Sequence, residues 1–77
     1  MVTNIKVKEK IPFEQLDGVM NLVAEAEATL KSEGGRVLLR YSGTEPKARL
    51  LIEGRDPGTI KDWNSRIGSS IKKLIGA

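Results

Sequence analysis

The chain has 77 residues, with 13 Lys and Arg against 10 Asp and Glu, so its net charge is +3; this length makes one small domain, residues 1–77, near the lower limit of what folds alone. It contains no cysteine and no histidine, which excludes disulfides, thiolate metal sites and histidine-based catalysis. The basic excess is compatible with an anionic ligand but too small to argue for nucleic acid by itself.

Val2 to Lys8 alternates apolar and polar residues, with Ile5 and Val7 against Asn4, Lys6 and Lys8, and is predicted to be a strand with one dry face. Pro12 ends it. Leu16, Val19, Met20, Val23, Ala26 and Leu30 then recur at helical spacing. This helix is expected to begin between Phe13 and Asp17, with Asp17 a plausible cap, and to stop at Gly34-Gly35. Arg36 to Tyr41 and Ala48 to Arg55 read as two more strands around a polar loop. Asp56-Pro57 is a helix start, an acceptor at the cap followed by proline. Ile60, Trp63, Ile67, Ile71 and Leu74 form the dry stripe of the last helix, and Trp63 and Met20 read as core. The order β-α-β-β-α gives an α+β fold, a small antiparallel sheet with two helices packed on one face. No apolar run reaches the length of a membrane span. The charged, alternating start from Met1 to Lys10 does not read as a signal peptide. A cytoplasmic location is expected, because a secreted domain this short usually needs disulfide staples.

Alternate residues of a strand share a face. Ile5 and Val7; Val37, Leu39 and Tyr41; and Ala48, Leu50 and Ile52 are expected beneath the helices. Lys6 and Lys8; Arg36, Leu38 and Arg40; and Arg49, Leu51, Glu53 and Arg55 are expected on the other face. Arg40 and Arg49 should therefore leave the sheet on the same side. Between their strands runs Arg40-Tyr41-Ser42-Gly43-Thr44-Glu45-Pro46. Phosphate recognition uses hydroxyl donors, free backbone N–H groups and a planar cation that can bond two oxygens at once. Ser42 and Thr44 supply hydroxyls, and Gly43 permits close approach or positive φ. Arg40 and Arg49 bracket the loop, and Pro46 holds Glu45 out of the helical region. Any polar hairpin could be built from the same residue types.

Taken in order, Arg-x-Ser-Gly-Thr-Glu-Pro followed by an arginine and an apolar strand resembles the C-terminal domain of the α-D-phosphohexomutases. The likeness is greatest to the phosphoglucosamine mutase branch and its phosphomannomutase/phosphoglucomutase relatives. Gly35 to Pro46 resembles the family's signature strand and loop, Ala48 to Gly54 the strand that follows, and the flanking helices extend the likeness over nearly the whole chain. The resemblance implies a TATA-box-binding-protein-like fold and the last domain of a four-domain enzyme. Such an enzyme isomerises a hexose or hexosamine between its 6-phosphate and 1-phosphate through a bisphosphate. A phosphoserine and Mg²⁺ belong to other domains, and this one closes over the cleft and grips the phosphate that is not reacting. Carried over by position, Arg40, Ser42, Gly43, Thr44 and Arg49 are the phosphate contacts, while Glu45 and Pro46 shape the loop. Gly43, where some mannose- or glucose-directed relatives have asparagine, tilts the substrate toward glucosamine phosphate. Tyr41 departs from the family pattern, and its parity sends it inward.

No catalytic residue and no metal ligand is expected in this chain. Ser42 has no histidine or cysteine partner, Lys47 is the only nearby amine, and Asp17, Asp56 and Asp62 are scattered. The implied partners are the phosphosugar and the remaining domains of the enzyme, not nucleic acid or membrane. The rival is a small basic nucleic-acid-binding module. Against it, no base-stacking aromatic is predicted on the open face. A purely structural interaction domain leaves the bracketed Ser-Gly-Thr loop unexplained.

Overall fold

In the computed structural model, which covers residues 1–77, the predicted order of elements is present. Strand β1 spans Val2–Lys6, helix α1 Val19–Lys31, β2 Arg36–Tyr41, β3 Lys47–Glu53 and helix α2 Pro57–Ile75, with a 3₁₀ turn at Phe13–Gln15. The sheet is antiparallel with β3 at its centre, in the order β1-β3-β2. A short loop turns β2 into β3, while α1 carries the chain from β1 to the opposite edge. α1 packs on β2, and α2 packs on β1 and β3.

Register makes the face assignment concrete. Ala48 lies between Ile5 and Tyr41, Leu50 between Thr3 and Leu39, and Ile52 opposite Val37. These rows meet the helices. All fifteen buried residues are apolar, and no buried side-chain polar atom lacks a partner. Leu50, Ile52, Ile67 and Ile71 are wholly excluded from solvent, each burial worth about 1.5–3 kcal/mol relative to exposure.

The boundaries and parts of the stripes differ from expectation, for local reasons. β1 stops at Lys6, and Val7 instead pairs with Gly76 through an isolated bridge. β3 stops at Glu53, so Lys8 and Arg55 leave the sheet's open face. Asp17 is not the cap of α1. Gly18 holds that position with φ 79° and no side-chain bond, and Leu16, buried, belongs to the preceding 3₁₀ turn. Met20 is 45% exposed, because it lies a full 100° step from Val19 on a helix whose buried set is Val19, Val23, Ala26 and Leu30. In α2 the stripe ends on Ile75, not Leu74, which is 45% exposed. Four residues beyond Ile71 stays closer to the stripe than three, and the bridge from Val7 to Gly76 draws that end onto β1. Trp63 is buried as expected, with the Arg66 guanidinium 4.2 Å above its ring.

Two starts and stops follow the residues closely. Asp56 caps α2, accepting from Gly58 N at 3.0 Å and Thr59 Oγ1 at 2.9 Å. Those bonds hold its carboxyl below the usual carboxylate range. Gly34 takes φ 71°, and at Gly35 a Cβ would stand 2.3 Å from the Glu53 carbonyl oxygen. The pair therefore does two jobs, reversing the chain and letting α1 and β3 approach.

The face away from the helices stays uncovered. Across it run four rows: Lys6 with Lys47; Asn4, Arg49 and Arg40; Val2, Leu51 and Leu38; and Glu53 with Arg36. Leu38 is 46% and Val2 55% exposed. No helix is long and apolar enough to cross a membrane.

Candidate functional site

The loop at residues 42–46 stands at one end of this open face. Its base is closed by Ser42 N to the Lys47 carbonyl at 2.9 Å, and Val7 N donates to the Pro46 carbonyl at 2.9 Å. Inside, Ser42 Oγ accepts from Glu45 N at 3.2 Å and from Thr44 N at 3.4 Å. This serine-centred turn uses the oxygen's lone pairs and leaves the hydroxyl proton to donate outward.

Beside the loop is an open cleft of about 350 Å³ lined by Asn4, Arg40, Tyr41, Ser42, Gly43, Glu45, Lys47 and Arg49. Arg40 and Arg49 are Cα partners on adjacent strands, which puts their Cβ atoms about 4.5–5.5 Å apart on one side of the sheet. Both are exposed, and neither takes part in any of the ion pairs, which join Arg36 to Glu53, Lys47 to Glu45 and Arg66 to Asp62. The cleft thus holds three cations against one carboxylate, and that carboxylate lies 3.5 Å from Lys47. Two guanidiniums directly opposite one another repel; an anion between them removes the cost and gains bidentate bonds.

The structure brings together Arg40, Ser42, Gly43 and Arg49. Thr44 and Pro46 lie on the loop but outside the cleft lining, and Glu45, expected only to shape the loop, lines it. Gly43 does not take positive φ, and a Cβ there would meet nothing within 4 Å. Nothing in the chain itself demands glycine at this position. Asn4 and Lys47 join the site without having been anticipated there. For Asn4 the signal lay in the pairing of β1 with β3, which places it beside Arg49 and which no local pattern reveals; for Lys47 it lay in parity, two residues before Arg49 on a strand that begins one residue earlier than expected. Tyr41 turns inward as its parity requires: its ring stacks on Phe13 at 4.2 Å, and its hydroxyl donates to the Ile11 carbonyl. Burial raises its pKa above the ordinary tyrosine value, partly offset by that hydrogen bond.

No three acidic side chains gather where they could hold a metal. The residues of this chain therefore do not fit a Mg²⁺ site.

Fold and loop together define a small α+β domain of the phosphohexomutase C-terminal type. The sequence profile of the phosphoglucomutase/phosphomannomutase C-terminal domain matches residues 2–68, and the chain belongs to that family. It is 47% identical over 72 residues to a phosphoglucosamine mutase of Nitratidesulfovibrio vulgaris, covering 94% of this chain and 16% of that protein. It is 40% identical over 76 residues to one of Citrifermentans bemidjiense, covering 99% and 16%. With one of Anaeromyxobacter dehalogenans it shares 41% over 75 residues, covering 97% and 16%. The chain thus spans about a sixth of the length of these relatives. Among solved structures it shares its fold with the Aspergillus fumigatus N-acetylphosphoglucosamine mutase in complex with GlcNAc-6P and magnesium. That match has a TM-score of 0.71 at 19% identity and covers all of this chain and 16% of that one.

Proposed function

We propose that this chain binds the non-reacting phosphate of a phosphosugar and closes the active site of a phosphohexomutase that interconverts sugar 6-phosphate and 1-phosphate. The observation that carries the reading is the pair of unpaired guanidiniums, Arg40 and Arg49, facing each other across two strands at the foot of a hydroxyl-bearing loop. Arg40 and Arg49 grip two oxygens each, the Ser42 hydroxyl and Gly43 N–H cap the group from the loop, and Thr44 lends its hydroxyl as the loop closes. Glu45 and Pro46 set the bend. Glucosamine phosphate is the favoured sugar, since the relatives above are phosphoglucosamine mutases.

The rest of the four-domain enzyme supplies the chemistry. The phosphoserine loop belongs to another domain, as does Mg²⁺, which the Aspergillus enzyme's structure contains. The uncovered row of Val2, Leu51 and Leu38 beside the site is then the surface that meets those domains. A cytoplasmic setting fits a small domain stabilised by its core alone. The open face has no aromatic on which a base could stack, because Phe13 and Tyr41 stack on each other and Trp63 is buried; this favours a phosphosugar over a nucleic acid.

A charge-assisted hydrogen bond contributes about 1.5–3 kcal/mol, and association costs at least ~4 kcal/mol. A few such bonds at an open half-site leave roughly millimolar affinity. Titrating the ¹⁵N-labelled chain with glucosamine 6-phosphate should shift the amides of Ser42 to Glu45 saturably in that range. Sub-micromolar binding, or no response at those amides, contradicts the proposal.

A further inference from the structure

The segment between β1 and α1 lies outside the signature loop, yet three of its residues grip that loop's base. Lys10 Nζ donates to the Ser42 carbonyl at 2.5 Å. Next to it, the Ile11 carbonyl accepts the Tyr41 hydroxyl, and the Phe13 ring stacks on the Tyr41 ring with planes 14° apart. Lys10 takes part in none of the chain's ion pairs, so its ammonium bonds the Ser42 carbonyl alone. A lone exposed lysine contact contributes little on its own. Here the flanking backbone is already held by Ile11 and Phe13, so less chain entropy opposes the bond.

We propose that Lys10 is a positioning residue for the anion site: by holding the Ser42 carbonyl it sets the Ser42–Gly43 peptide so that the Gly43 N–H is offered to bound phosphate. The inference rests on the reading of residues 42–46 as a phosphate loop. The chain has no cis peptide bond, and in a planar trans peptide the C=O and the following N–H point in opposite directions. With its oxygen on the Lys10 ammonium, this peptide must turn the Gly43 N–H away from Lys10. That N–H makes no hydrogen bond within the chain, whereas the next two amides, Thr44 N and Glu45 N, are directed at Ser42 Oγ. Gly43 N–H is therefore the loop's free main-chain donor, and Gly43 lines the cleft with Arg40 and Arg49. Glycine's wide conformational range makes this the peptide in the loop most able to flip, so the tether matters most here. An ammonium on the carbonyl also polarises the peptide and strengthens its N–H as a donor.

The test compares wild type, Lys10→Met and Lys10→Arg in the ¹⁵N-labelled 77-residue chain, titrated with inorganic phosphate at constant ionic strength. Lys10→Met should move the Gly43 amide resonance before any ligand is added and weaken phosphate binding about three- to tenfold, with the melting temperature nearly unchanged. Lys10→Arg, which retains a cationic donor, should keep the Gly43 resonance near its wild-type position and recover most of the affinity. Wild-type affinity in Lys10→Met overturns the inference while leaving the phosphate loop standing. So does an equal loss in both variants with the Gly43 resonance unmoved, which would mark Lys10 as structural. If wild type itself shows no saturable shift from Ser42 to Glu45, the phosphate reading fails and this inference falls with it.

Discussion

Arg36, Arg40 and Arg49 are the same residue type on the same face of one sheet, and their surroundings give them different work. Arg36 is paired with the Glu53 carboxylate across the strand, so its charge is already answered. Arg40 and Arg49 face each other, with only the neutral Asn4 on the far side of Arg49, and neither is ion-paired. If the pair binds phosphate as proposed, removing either one takes away one of two bidentate grips and also relieves a cross-strand repulsion. Arg49→Ala or Arg40→Ala should therefore weaken phosphate binding at least about tenfold, with a melting temperature equal to wild type or slightly higher. Calorimetric titration and thermal unfolding of each variant check this; undiminished binding would remove that arginine from the site. Strand parity was enough to place both arginines on one side. Asn4 was not legible beside them, because its placement depends on the register between β1 and β3, strands far apart in the chain; Lys47 was, since it precedes Arg49 by two residues and shares its face by the same parity once β3 starts at Lys47. Thr44 shows the opposite case: the motif included it, and the serine-centred turn holds it outside the cleft.

At the level of elements, the connections explain more than the strands do. The turn after α1 has to reverse the chain and bring Leu30 against β3 in the same few residues. Gly34 does the first through its left-handed backbone, and Gly35 the second through its missing side chain. Gly35→Ala places a carbon 2.3 Å from a backbone oxygen, which cannot be relieved by rotating a side chain. It should destabilise the fold by about 1–3 kcal/mol, seen as a lower urea midpoint with an unchanged slope. An unaltered midpoint would mean that this approach is slack. The end of α1 was plain from its two glycines, and the start of α2 from Asp56-Pro57. The start of α1 was not, since Gly18 caps it without a side chain and such a cap resembles any turn. The exchange of Ile75 for Leu74 has the same origin. Helical spacing tolerates either residue, and a bridge between Val7 and Gly76 decides which one turns inward.

Over the whole molecule, the sheet has one dry face and one open one, and Tyr41 links the two by anchoring the loop's base within the helix-side packing. Its raised pKa ties that anchor to global stability. Below about pH 10 the hydroxyl is protonated in both folded and unfolded chains, and its contribution is fully present. As pH rises past the unfolded value the unfolded chain loses its proton first, so stability declines toward the higher folded pKa. Unfolding free energy measured from pH 8 to 11 should fall more steeply in wild type than in Tyr41→Phe, with equal slopes counting against an anchored hydroxyl.

From its residues alone this chain determines the order and kind of its elements, the sidedness of Arg40 and Arg49, and its family. Each of these rests on local periodicity, on turn chemistry or on a run of adjacent residues. Only the tertiary structure decided which basic residues meet at the cleft, which are already paired, and that Lys10 reaches the Ser42 carbonyl. Those contacts join strands and connections distant in sequence, and their geometry is set by register and packing, which alternating and helical patterns do not encode.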